Sequence, residues 1–271
     1  MKRGRWALAA LVGTWLGCSS GYAEQPKPNT EPTGAAGSSV VVVELFTSEG
    51  CSSCPPADDV LRLLGADPAL KGKVVPLSYH VDYWDYLGWG DPYASERWSN
   101  RQREYGAALQ QRSIYTPELV IQGRAHVVGS HEGKVRQGIA DASKLLPAGR
   151  ATVKAKLDSD AIEVEAQAEL LRAVEGGDLV AWVITFDSGH SSRVTRGENT
   201  GSTLKHDFVV RDLRRAFGLK PDKGASDAQK VRVPLAEGWH KDKLGVALLL
   251  QDRKTMQIHA AAVVQLADLS P

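Results

Sequence analysis

Cys51-Ser52-Ser53-Cys54 constrains this chain more than any other stretch of it. Residues 40–46 before it are β-branched and apolar apart from Glu44, the composition of a strand buried on both faces. Residues 47–53 read as a polar turn. Pro55-Pro56 then suits the first turn of a helix whose apolar positions are Val60, Leu61, Leu63 and Leu64. Two residues between cysteines at a helix start bring the sulfurs within disulfide reach. The helix N-terminus favours a thiolate on the first of them. This arrangement predicts Cys51 as the attacking nucleophile and Cys54 as the shielded, resolving thiol. Two other readings stay open, a permanent structural disulfide and part of a metal site. Zinc takes about four ligands, there is no second CxxC, and His80, His126 and His131 are scattered. Copper held by Cys51, Cys54 and His80 is the rival chemistry.

The N-terminus bears on the redox environment. Lys2, Arg3 and Arg5 precede an apolar stretch, residues 6–16, and then small residues, the pattern of a secretory signal peptide covering residues 1–23. Cleavage after Gly21-Tyr22-Ala23 makes Glu24 the mature start. The alternative is a lipobox-like end at Gly17-Cys18, which puts a lipid anchor on Cys18, although Trp15 departs from that pattern. Residues 24–39, rich in Pro, Gly, Ser and Thr, read as a disordered linker. Of three cysteines, two then remain in the mature chain, both in the CxxC. Export to the periplasm or the medium permits their disulfide. Lysine and arginine number 33 against 32 acidic residues, so no basic excess points to nucleic acid and no transmembrane domain is expected in the mature form.

The remaining elements divide at residues 146–149. Residues 74–81 read as a second strand, 91–112 as one or two helices, 118–122 and 125–128 as a hairpin, and 132–146 as a closing helix. Six short alternating runs follow, at 151–157, 161–168, 179–186, 230–235, 244–251 and 257–265, with turn residues between them. That spacing argues for a sandwich-like β-rich module over 149–271. No phosphate loop or dinucleotide fingerprint is present, and no organic cofactor is implied.

VVELFTSEGCSSCPPAD (residues 42–58), SYHVDYWDYLGW (78–89), YTPELVIQG (115–123) and RGENTGSTLKHDFVVRDL (196–213) resemble an uncharacterised family of secreted bacterial thioredoxin-like proteins. The resemblance implies an α/β, thioredoxin-like domain over residues 40–148 with a helical insertion. It implies thiol–disulfide exchange with an exported protein or a small thiol. Thr116-Pro117 matches the position of the cis-proline that faces the dithiol in such proteins and shapes substrate docking. Glu44 is similar to their buried proton-transferring carboxylate, although pairing with a lysine or exposure at the sheet end explains it equally well. Tyr79, Tyr83, Trp84, Tyr86, Trp89, Tyr93 and Trp98 offer either a peptide groove or core packing. Residues 196–215 read as a loop laid against the dithiol or as a solvated hairpin.

Overall fold

A computed structural model describes residues 40–175 and 177–266, together with Met1. The expected signal peptide, linker and Cys18 lipidation site therefore fall outside the described residues, Met1 apart. Residues 40–175 and 177–266 belong to a single unit.

Seven elements lead: β1 (Val41–Thr47), α1 (Pro55–Ala66), β2 (Val74–His80), α2 (Glu96–Ala108), β3 (Glu118–Ile121), β4 (Ala125–Val128) and α3 (Glu132–Ser143). β1 runs parallel to β2 and antiparallel to β3, and β4 closes the edge by a hairpin on β3. Every residue of β1 is buried, because α1 and α3 cover one face of the sheet and α2 the other. Alternation sorts its side chains. Val41, Val43 and Leu45 pack with Ala57, Leu61, Val135 and Ile139. Val42 and Phe46 pack with Tyr79, Trp98 and Tyr105. The α1 start has Pro55 and Pro56 in its first turn with Cys54 as N-cap. Ser95 caps α2, its hydroxyl accepting from Arg97 N–H at 3.3 Å.

The later elements are β5 (Gly149–Leu157), β6 (Ala161–Leu170), β7 (Leu179–Asp187), β8 (His190–Arg193), β9 (Thr203–His206), β10 (Val209–Leu219), β11 (Ser226–Pro234), β12 (Gly245–Asp252) and β13 (Ile258–Gln265). Four of them extend the first sheet into eight strands, ordered β13-β12-β7-β10-β2-β1-β3-β4. The join is narrow. β10 meets β2 only at Val209 opposite Ser78, with Ser78 N–H donating to Phe208 O at 2.8 Å. This explains how Pro76 sits inside β2: its nitrogen faces the same side as that of Ser78, where β10 has not yet joined and no donor is needed. A separate sheet, β11-β6-β5, packs on β7, β10, β12 and β13. Ile162, Val164, Leu170 and Val233 there meet Ala181, Val183, Leu248 and Leu250. The change of texture at residues 146–149 thus marks the passage from α3 to β5, while the large sheet runs on through both halves. The chain is mixed α/β and mostly β-rich. Among the described residues it has three α-helices, and no helix is long and apolar enough to cross a membrane.

Among the described residues β8 and β9 pair only with each other. The hairpin they form joins no larger sheet, and its tip, residues 194–202, reaches the cysteines.

Candidate redox site

Cys51 and Cys54 are joined as a disulfide, with Cα atoms 5.4 Å apart. They sit in the turn between β1 and α1, as the sequence predicts. Cys54 N–H donates to Cys51 O at 3.2 Å, and the amides of Ala57 and Asp58 bond back to Cys54 O at 2.8 and 3.2 Å. Cys51 is 1% exposed and Cys54 0%, whereas Ser52 and Ser53 face solvent.

Thr116, followed in the chain by Pro117, stands against the pair. Their peptide bond is cis. The Thr116 hydroxyl donates to Cys51 Sγ at 3.3 Å and accepts from Trp84 Nε1 at 2.8 Å. Trp84 also packs on the turn, where a Cβ on Gly50 would lie 2.9 Å from Trp84 Cβ. Of the aromatic cluster, Tyr79 and Trp98 belong to the core, Trp84 and Trp89 line the site, and Tyr86 is 79% exposed.

The tip of the β8–β9 hairpin covers the turn from the other side. Asn199 Nδ2 donates to Glu49 O at 2.8 Å and to Cys51 O at 3.0 Å. Glu198 accepts from Ser52 N–H at 3.0 Å. Hydrogen bonds from the Ser52 side chain and backbone hold its carboxyl below the usual range. Residues 196–206 fit both sequence readings, a loop against the dithiol and a solvated hairpin, since Asn199 is buried and Glu198 is exposed, whereas residues 209–215 fit neither, because they belong to β10 of the large sheet.

Behind the turn lies a buried polar network. Glu49 accepts from His206 Nε2 at 3.0 Å and from Trp89 Nε1 at 2.7 Å. Its N–H donates to Asp91, which pairs with His80 Nδ1 at 2.7 Å. Burial pushes the Asp91 carboxyl up, but the His80 charge and hydrogen bonds from His80, Glu49 and Tyr93 outweigh it and hold the group low. His206 Nδ1 finds no hydrogen-bond partner among the described residues and stands 3.7 Å from Asp58 Oδ2. Asp58 is one helical turn beyond Cys54, so both lie on one face of α1. Its side chain is 8% exposed, and burial raises its pKa to about 7 against the lowering pull of His206.

One sequence candidate lies apart from this network. Glu44 projects from the opposite face of β1 to α1, into the side covered by α2. There Arg101 Nε donates to it at 2.8 Å and the Tyr105 hydroxyl bonds to it. Glu44 is thus buried in an ion pair, but with Arg101 where the sequence reading expects a lysine. His80 is engaged by Asp91 and set edge-on to His206, ring centroids 4.7 Å apart. Among the described residues no group of three or more His, Cys, Asp and Glu side chains is arranged to hold a metal ion. Glu49, Asp58 and Asp91 are site residues that the sequence reading misses. The one available signal is that Asp58 repeats the Cys54 helix position four residues on.

The chain is similar to the crystal structure of protein AGR_C_4864 from Agrobacterium tumefaciens, with 29% identity and a TM-score of 0.62 over 86% of this chain and 96% of that one. HBP35 of Porphyromonas gingivalis shares the fold at 14% identity and a TM-score of 0.59, over 84% of this chain and 76% of the other. No curated protein matches. Residues 42–251 match the protein of unknown function family DUF1223, and the chain belongs to that family.

Proposed function

We propose that the chain is an exported thiol–disulfide oxidoreductase with a thioredoxin-like first half. The observation that carries the reading is the Cys51–Cys54 pair at the start of α1, faced by Thr116-Pro117 with the Thr116 hydroxyl on Cys51 Sγ. The β1–α1–β2–α2–β3–β4–α3 order and the β2-β1-β3-β4 strand order support the thioredoxin-like part. In the reductive direction the Cys51 thiolate attacks a substrate disulfide, whose far sulfur leaves as a thiolate. Cys54 then attacks Cys51 Sγ, the second substrate sulfur leaves, and the Cys51–Cys54 bond forms as two electrons pass to the substrate. Oxidation of a substrate dithiol is the same path reversed. A protein or small thiol of the exported compartment is the partner this chemistry takes, and an oxidising compartment suits the disulfide.

Replacing Cys54 tests the reading. Cys54→Ala in the full chain leaves Cys51 without its resolving thiol, so mixed disulfides with substrates accumulate and disappear in Cys51→Ala. Burial of both sulfurs favours a second reading, a structural clasp that takes no part in exchange. A pair that traps nothing and keeps its disulfide under strong reductant supports the clasp and overturns the enzyme.

A further inference from the structure

The direction of electron flow depends on how well the protein stabilises the reduced pair, chiefly as the Cys51 thiolate. Helix α1 favours that thiolate through its N-terminal dipole. One exposed group stands against it. The Glu198 carboxylate is brought from the β8–β9 hairpin, 146 residues away in the chain, onto the N–H of Ser52, the amide next to Cys51. It is anchored there by its neighbour Asn199, buried and bonded to Cys51 O. The other charged and titratable groups joined to this segment are Glu49, Asp58 and Asp91, with His80 and His206 between them. Carboxylates outnumber imidazoles in that set. Glu198 alone is exposed and lies on the solvent side of the turn, where the attacking sulfur has to work.

We propose that Glu198 is a positioning residue that sets the redox poise of the pair. It holds the Cys51 thiol less acidic and the pair more reducing, so that the substrate class is disulfides to be reduced. A negative charge fixed beside Cys51 disfavours its thiolate, and a reduced form with less thiolate stabilisation gives up its electrons more readily. This inference rests on the pair being a redox centre.

Glu198→Gln removes the charge and keeps an oxygen that accepts from Ser52 N–H. The full-length variant and the parent are equilibrated with dithiothreitol redox buffers. One dithiothreitol closes to its cyclic disulfide for each Cys51–Cys54 bond broken, and its two hydrogens pass to the sulfurs, one leaving as a proton where Cys51 is ionised. The Cys51 pKa is read from thiolate ultraviolet absorbance. We expect the pKa to fall by about half a unit and the equilibrium to move about threefold toward the dithiol. Both differences should shrink in about 1 M salt, which screens an exposed charge but leaves a packing defect untouched. An unchanged or raised Cys51 pKa, or a salt-independent change, overturns the proposal. A pair that stays oxidised in every buffer overturns it together with the enzyme reading. Partners trapped by Cys54→Ala with no Glu198 effect remove the tuning alone, and a Glu198 effect with no partner trapped removes the enzyme and the substrate class but keeps the tuning.

Discussion

Asn199 holds the carbonyl oxygens of Glu49 and Cys51 with one amide, at 2.8 and 3.0 Å, across 150 and 148 residues of chain. The dithiol turn is therefore shaped by the second half of the chain as well as by the strand and helix that flank it. Asn199→Ala leaves two buried carbonyls without that donor, at a cost of about 1–3 kcal/mol. The variant should unfold at lower urea, and dithiothreitol should reduce its disulfide faster than in the parent, because the hairpin tip no longer clasps Cys51. Equal reduction rates would show that the tip does not limit access.

Asp58 predicts a pH dependence. Its folded pKa of about 7 lies above the ordinary 3.8, because burial disfavours the charged form. The folded state thus binds more protons than the unfolded state across that interval, and stability falls as pH rises through it. The contribution is fully present below about pH 4 and lost above about pH 7, and a shift of this size is worth on the order of 4 kcal/mol. Asp58→Asn cannot ionise, so its urea midpoint should fall less than that of the parent between about pH 4 and about pH 8. Parallel curves would place the Asp58 carboxyl in the ordinary range.

Glu44 and Arg101 make a separate prediction. Their side chains are 0% and 7% exposed and joined at 2.8 Å, with Tyr105 and Gln251 completing the cluster. Arg101→Met strands a buried carboxylate and should cost about 3–5 kcal/mol. Glu44→Gln should change stability while leaving the Cys51 pKa where it was, since the cluster faces α2 and the dithiol faces α1. A shifted thiol pKa in Glu44→Gln would return Glu44 to proton transfer.

The residues behind these predictions differ in how legible they are in the sequence. The turn, the first-half elements and the later strand runs announce themselves by composition: apolar β-branched runs, Pro55-Pro56, and Gly- or Asp-rich breaks. β10 does not. It reads VVRDLRRAFGL, with charges at Arg211, Asp212, Arg214 and Arg215 and register shifts between Val210 and Asp212 and between Arg215 and Phe217, so its apolar alternation is broken. Yet it is the strand that joins the two halves of the large sheet. The polar network behind the cysteines is hidden for a different reason. Glu49, Asp58, Asp91 and His206 are ordinary surface residue types, and only long-range folding brings them together under cover. Residue type singles out Glu44, whereas the side of β1 it takes is fixed by which helix covers each face.

The β3–β4 turn gives the last test. Gln122 and Gly123 both have positive φ, 53° and 63°, the pattern of a tight hairpin turn of type I′. The turn also docks on the second half of the chain, because Ile258 N–H donates to Gln122 O at 3.1 Å and Gln122 Nε2 to Ile258 O at 3.0 Å. A Cβ on Gly123 would lie 1.9 Å from Met256 O, a backbone atom that cannot swing aside. Gly123→Ala therefore combines a strained φ with a backbone clash and should destabilise by about 2–4 kcal/mol. Gly133, in the first turn of α3, has nothing within 4 Å of its Cβ position and no positive φ. Gly133→Ala should be neutral or stabilise by up to about 1 kcal/mol. Urea unfolding of the two variants beside the parent measures both. If Gly123→Ala unfolds with the parent, the turn is not pressed against Met256, and the seam between β3–β4 and β13 is looser than these hydrogen bonds imply.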